Sequence, residues 1–210
     1  MDDENLLTIG ALAERTGSTA SDGDSAVLPR RPRTRRVPPQ PVSPCDKNET
    51  TSWTVEPVEP WSTAAAAILR LYLAEMISRY YGRPTDNAEI DRHLADGHGS
   101  DDLTPPTGLL LLARRHGEAV GCVGLRRLDM RTLELTRMFV RSDARGEGGA
   151  GNLLGAAESA ARSLGADKLR LTTRADLVEA RALYAKHGYA EIPSYGDDPL
   201  ADYCFEKRLD

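Results

Sequence analysis

Cysteine is scarce: Cys45, Cys122 and Cys204 are the only three in 210 residues. An odd number without metal-type spacing excludes a disulfide framework as the organising principle. Cys122 and Cys204 lie in strand-like contexts and read as small apolar fillers, not nucleophiles. Long apolar runs are lacking too. None approaches the roughly 20 residues that span a bilayer, so no membrane association is expected. The opening residues, Met1 to Glu4, are acidic where a secretory leader would be basic, and the expected location is cytoplasmic. Excess positive charge is missing: 27 Lys and Arg face 32 Asp and Glu, for a net charge of −5. Nucleic acid is therefore not the expected partner of the whole chain, because phosphate binding rests on clustered Lys and Arg. The histidines, at 93, 98, 116 and 187, lie apart or on exposed helix positions, and no metal site is expected.

Between Ser18 and Ser52 large apolar side chains are few, and Ser, Thr, Asp, Pro and Arg dominate. Such a stretch cannot bury a core, and 18–52 reads as a disordered Pro/Arg-rich linker. Arg30, Arg31, Arg33, Arg35 and Arg36 crowd there; they could attract polyanions or simply keep a solvated linker extended. Ahead of it, 1–17 is a short helical segment, with Leu7, Ile9, Leu12 and Ala13 at near-helical spacing and a stop at Gly17. LLTIGALAERTG resembles the opening helix of MerR-type helix-turn-helix regulators. The chain then departs into STASDGDSAVLPRRPRTRRVPP, which has no helical period and too many prolines for a recognition helix, so the DNA-reading half of that motif is missing.

From Trp53 the pattern becomes regular. TSWTVEPVEP predicts a short strand stopped by prolines, with Trp53, Val55 and Val58 turned inward. Residues 62–81 predict a long helix capped by Ser62 or Thr63, with Ile68, Leu71, Tyr72, Met76 and Tyr80 on its apolar face, and ended by Gly82 and Pro84. A polar helix over 86–96 would bury Ile90 and Leu94. Three strands follow at 108–115, 118–128 and 132–140, whose short connections imply an antiparallel meander. The remainder alternates: helix 149–164, strand 168–173, helix 177–187, strands 189–192 and 203–208. A helix between strands implies a parallel pair. The order βααβββαβαββ describes one α/β domain of the α+β type over 53–210, a central mixed sheet of about seven strands flanked by four helices, behind a disordered N-terminal extension.

The most informative segment is ELTRMFVRSDARGEGGAGNLLGAAESAARSLG. A strand ends at Val140, a polar loop runs into Arg145, Gly146, Glu147, Gly148, Gly149, Ala150 and Gly151, and an amphipathic helix follows with Leu153, Leu154, Ala157, Ala161 and Leu164 facing the sheet. Glycines let several N–H groups approach one anion at the positive end of a helix dipole. The Gly-Lys-Ser/Thr of a P-loop and the dinucleotide fingerprint are both absent. Val140, Arg145-Gly146, Gly148, Ala150 and Leu153-Leu154 resemble the signature of the GNAT superfamily of N-acetyltransferases, as do Ala180, Leu183, Tyr184, Gly188 and Tyr189 and the closing Phe205, Lys207 and Leu209. The resemblance covers about 155 residues of the 210. It implies a GNAT fold, acetyl-CoA as co-substrate, pyrophosphate contacts at 145–151, and pantetheine pairing along the backbone of Met138, Phe139 and Val140. Leu177 stands at the start of the last helix where many members carry Asn, so a cofactor contact made by that Asn is not expected here.

Acetyl transfer to an amine needs a neutral nucleophile, a polarised thioester carbonyl and a proton for the leaving thiolate. Glu134, six residues before Val140, is the candidate base; the other reading is a rim carboxylate paired with Arg137 or Arg126. Tyr184 is the candidate general acid, or else simple core packing. Tyr80, Tyr81, Arg83, Asp197 and Asp198 are candidates for an acceptor pocket. The expected function is N-acetyltransfer from acetyl-CoA to a primary amine of a small molecule or peptide, with a homodimer left open. Two alternatives remain: an acyl-CoA-sensing regulator with an N-terminal helix-turn-helix remnant, and a CoA-binding domain without turnover.

Overall fold

The computed structural model describes residues 53–95 and 102–210. The helix read in 5–17, the linker with its arginines and Cys45, and His98 lie outside the described residues. The elements run β1 (Trp53–Val58), α1 (Thr63–Tyr81), α2 (Asn87–Ala95), β2 (Gly108–Arg115), β3 (Glu118–Arg127), β4 (Thr132–Val140), α3 (Gly149–Ser163), β5 (Lys168–Thr173), α4 (Val178–Lys186), β6 (Ala190–Ile192) and β7 (Tyr203–Arg208). They build one seven-stranded mixed sheet, in the order β1-β2-β3-β4-β5-β7-β6. The first four strands are an antiparallel meander, β4 and β5 run parallel across α3, and β7 inserts antiparallel between β5 and β6.

Alternation along β2 sets the layers. Leu110 and Leu112 point to one side, where they meet Ala65, Ile68 and Leu69 of α1 together with Cys122 and Phe139. Leu111 and Ala113 point to the other, against Leu153, Leu154, Ala157 and Ala161 of α3. Period-2 strands facing helices of period 3.6 on both faces produce this sandwich. Fully burying each of those leucines contributes about 2 kcal/mol.

Helix ends follow the local chemistry. Ser62 accepts from the Ala65 amide at 3.4 Å, and Gly82, at φ 64°, sends its own N–H back to the Ser78 carbonyl. The buried face of α1 differs from the expected one: it is Ala65, Ile68, Leu69, Leu73 and Ile77, while Leu71 is 44% exposed and Tyr80 38%. At about 100° per residue, Leu71 lies roughly 160° from the centre of that stripe. Leu164, also expected inside, is 42% exposed because α3 ends at Ser163 and Leu164 is its C-cap. In α2 Ile90 is buried as expected and Leu94 only half-buried, whereas Glu89 and His93 are buried. The burial of Glu89 is balanced by Arg83, which donates to both of its oxygens at 2.8 and 2.9 Å, and by the Thr85 hydroxyl at 2.6 Å. Cys122 and Cys204 are free and buried; burial pushes the Cys122 thiol up to about 12, and the thiol donates to the Arg137 carbonyl at 3.3 Å.

Two irregularities in β4 open the sheet. On the β3 side, Cys122 pairs with Phe139 and Gly124 with Thr136, so β4 spends one extra residue there, and Arg137 takes φ 50°. This is a bulge, which bends and twists the strand that carries it. On the β5 side, pairing covers only Thr132, Leu133 and Glu134, against Lys168, Leu169 and Arg170. Beyond Glu134 the two parallel strands separate. The backbone of 135–140 then has no strand beside it on that edge.

Candidate active site

The split between β4 and β5 is the floor of a cleft of about 850 Å³. Its walls come from α1, the β4 bulge, the start of α4 and the 193–202 connection between β6 and β7. Glu134 and Tyr184 both line it, as do Met138, Phe139, Val140, Arg145 and Ala150. Glu134 and Tyr184, 50 positions apart in sequence and expected to share one site, are thus brought together. Tyr80, Tyr81 and Arg83 do not line the cleft; Arg83 is tied to Glu89. Asp197 and Asp198 do line it.

Next to the cleft lies a smaller hollow of about 270 Å³, which shares Val140, Arg145 and Ala150 with it and is lined by Gly146, Gly148, Gly149 and Gly151. Gly148 caps α3 at φ 85°, a left-handed conformation that side chains resist. A Cβ on Gly149 would lie 2.2 Å from the Trp53 ring, so β1 packs directly on the first turn of α3. The result is a set of backbone N–H groups at the positive end of a 15-residue helix, a geometry that suits an anion. Lys186 and His187 close the far side of this hollow.

The charged side chains of the loop have other employment. Glu147 pairs with Arg115 at 2.6 Å, which pins the loop to β2. Arg145 donates through Nε to the Val140 carbonyl at 2.8 Å and through its terminal nitrogen to Glu75 at 2.5 Å. The loop therefore offers its amides, while Arg145 braces α1 over the cleft. At the opposite end of the mouth Arg79 pairs with Glu179 and donates to the Asp176 carbonyl at 2.8 Å, joining α1 to the segment before α4. Leu177 caps α4 without a side-chain hydrogen bond and lines the cleft.

Tyr184 is 4% exposed, with its ring against Tyr189 and Phe205, 5.8 and 6.1 Å between centroids. Burial pushes its phenol well above the usual range, with a smaller push from Tyr72, so it keeps its proton at neutral pH. Its hydroxyl has no hydrogen-bond partner among the described residues. Glu134 is 6% exposed. Its Oε2 accepts from Arg126, at 3.0 Å from Nε and closer from a terminal nitrogen, and Oε1 accepts from the Tyr195 hydroxyl at 2.8 Å. Arg126 also reaches Asp102 at 3.5 Å. The pairing with Arg126 is one of the two considered from sequence, whereas Tyr195 gave no sequence signal: it sits in an irregular connection 61 residues from its partner. Among the described residues no group of His, Cys, Asp and Glu could hold a metal ion, and no helix is long and apolar enough to cross a membrane.

Comparison with known proteins agrees with this architecture. The family model for the acetyltransferase (GNAT) family matches residues 66–189. An IAA acetyltransferase of Azospirillum brasilense is 36% identical over 134 residues, which is 58% of this chain and 86% of that protein. Among solved structures, a GNAT family acetyltransferase from Elizabethkingia anophelis with acetyl-CoA bound superposes with a TM-score of 0.52 at 20% identity, covering 75% of this chain and 98% of its own. The PaiA N-acetyltransferase of Thermoplasma acidophilum in complex with coenzyme A gives 0.57 at 16% identity, covering 75% and 99%. At those identities the two structures speak to the fold alone. With the split β4/β5 edge, the glycine turn opening α3 and a family model spanning more than half its length, the chain belongs to the GNAT family of acetyltransferases.

Proposed function

We propose that the domain over 53–210 transfers an acetyl group from acetyl-CoA to a primary amine of a small molecule or peptide, by direct attack in a ternary complex. The observation that carries this reading is the convergence, on one cleft, of an unpaired strand edge, a cradle of loop amides, a buried protonated phenol and a buried carboxylate. The residues present fit the co-substrate. Amides of 146–151 at the N-terminus of α3 suit a pyrophosphate, and the free edge of 138–140 suits an amide-bearing chain. When bound, acetyl-CoA supplies an electrophilic thioester carbon and a thiolate leaving group.

The rest of the chemistry belongs to this chain. An alkylamine with pKa near 10.4 is protonated at neutral pH, so its attack requires removal of a proton. Glu134 takes that proton, directly or through water, and passes it to solvent, freeing the lone pair that attacks; the amine's second proton leaves once the C–N bond has formed and replaces the one that Tyr184 gives up. A backbone N–H at Phe139 or Val140 faces the carbonyl oxygen as charge gathers on it. Tyr184 gives its proton to the departing sulfur as the C–S bond breaks. Burial holds that proton in place until it is needed, and it disfavours a free phenolate, so the proton returns within the turnover. No covalent enzyme intermediate forms.

The test is release of CoA thiol from acetyl-CoA with a panel of primary amines: an α-amino acid, a lysine peptide, a diamine and an arylalkylamine. Amine-dependent release, with an acetylated product of matching mass, supports the reading. Binding of acetyl-CoA without release in the presence of any amine would assign the chain to ligand binding instead.

A further inference from the structure

The vertex of the β4/β5 split carries a row of alternating charge. Arg126 on β3 is the register partner of Glu134 on β4, Glu134 of Arg170 on β5, and Arg170 of Glu206 on β7. Opposite charges thus stand side by side across four strands, the arrangement that favours cross-strand pairs. Arg126 donates to Glu134, and Arg170 donates through Nε to Glu206 at 2.7 Å.

Tyr195 lies on the middle of this row. Its hydroxyl donates to Oε1 of Glu134 at 2.8 Å, and the Arg170 guanidinium stands 5.1 Å from its ring centroid. One side chain therefore touches both neighbours at the point where the strands part. Tyr195 also belongs to the connection that forms a wall of the cleft through Ser194, Gly196, Asp197, Asp198 and Leu200. At its far end this connection is held by Asp202, which accepts from the Ala175 amide at 2.7 Å. With the hydroxyl removed, Oε1 of Glu134 loses its partner and the wall keeps only the ring contact with Arg170 as its hold on the central strands.

We propose that Tyr195 is a positioning residue for acyl transfer, fixing the orientation of Glu134 and latching the 193–202 wall over the acceptor side of the cleft. The inference rests on the assignment of Glu134 as base and extends it. With Oε2 held by Arg126 and Oε1 by Tyr195, the carboxylate cannot rotate about its last bond. Its remaining lone pairs then keep one direction, and the residue that sets that direction belongs to the wall. Forming the wall and orienting the base become a single event.

The experiment combines substitution with kinetics, using acetyl-CoA and whichever amine of the panel turns over, and with hydrogen exchange, which needs no acceptor. Y195F keeps the ring on Arg170 and removes only the donor. Its kcat falls about tenfold, the scale of one hydrogen bond to a charged group, with KM unchanged for both substrates. Y195A lowers kcat as far and also raises KM for the amine, leaving KM for acetyl-CoA as it was. In an E134Q background Y195F costs less than about twofold, because the two residues act as a unit. Amides of 193–202 exchange faster in Y195F than in wild type, while those of α3 do not change. An unchanged kcat in Y195F beside a damaged E134Q overturns the inference and leaves the base assignment standing. So do multiplicative losses in the double variant, or unaltered exchange in 193–202. Full activity in E134Q removes the base assignment and this inference with it.

Discussion

At Tyr184 one environment governs both packing and protonation. The rings of Tyr189 and Phe205 that bury it also keep its phenol protonated, and its hydroxyl is left for whatever enters the cleft. Tyr184→Phe keeps the ring and removes the donor. Steady-state kinetics with a reactive amine should show kcat lowered about 100-fold, the low end for a general acid, with acetyl-CoA affinity unchanged by titration. A variant with wild-type kcat would remove Tyr184 from the mechanism. Glu89 offers a separate test away from the cleft. The hydrogen bonds from Arg83, then that from Thr85, hold its carboxyl below the usual range against the opposing effect of burial. A group depressed in the folded state contributes stability above its unfolded pKa, about 4.3 for Glu, and loses it as pH falls through the folded value. In denaturant titrations from pH 6 down to 3, Glu89→Gln should be less stable than wild type above about pH 4.3, with the gap closing below it. An equal gap at both ends would contradict the assignment. The candidates on β4 and α4 are reachable from sequence, Tyr184 through a short family pattern and Glu134 through its spacing from Val140, and both line the cleft. Tyr195 is not reachable in this way, since its partner is fixed by a long connection with no period and its own neighbours in sequence are ordinary turn residues.

The informative elements are those that break regularity. β4 carries a bulge at Arg137 and loses its β5 partner after Glu134; the sequence shows only an unbroken alternating strand there. Nothing in TLELTRMFV marks the extra residue, because a bulge depends on the register of two strands and periodicity within one strand is blind to it. The glycine turn was visible, since positive φ at Gly148 and the Trp53 ring against Gly149 both require the absence of a side chain. Leu71 and Leu164 differ for other reasons: α1 is apolar on more than one side, so composition does not select the face on Ala65, Ile68, Leu69, Leu73 and Ile77, and the boundary of α3 falls just before Leu164. Gly148→Val places a β-branched side chain at φ 85°. The expected outcome is a domain destabilised by about 1–2 kcal/mol, read by thermal denaturation, with acetyl-CoA binding weakened at least about tenfold as the loop amides lose their common aim. Unaltered binding would show that the turn does not hold the pyrophosphate.

At the scale of the whole molecule, the sheet is covered on both faces by helices, with one core cluster between α3 and the sheet and another between α1 and the sheet. Element order and class were legible because local patterns alternate cleanly from Trp53 onward. The insertion of β7 between β5 and β6 was not, since strand order is set by long-range pairing. A chain beginning at residue 53 should fold alone: a fragment of 53–210 should unfold in one cooperative transition with the midpoint of the full chain. A broad, early transition would place the boundary elsewhere. The glycine turn and the split strand edge are expected to receive acetyl-CoA together. Calorimetric titration of acetyl-CoA into the full chain, and into Ala150→Glu, tests it directly, because Ala150 lines both hollows and a carboxylate there would repel the pyrophosphate. The expected result is one site per chain with a Kd on the order of micromolar, lost in the folded variant. A folded wild-type chain that shows no binding at millimolar acetyl-CoA would contradict the claim.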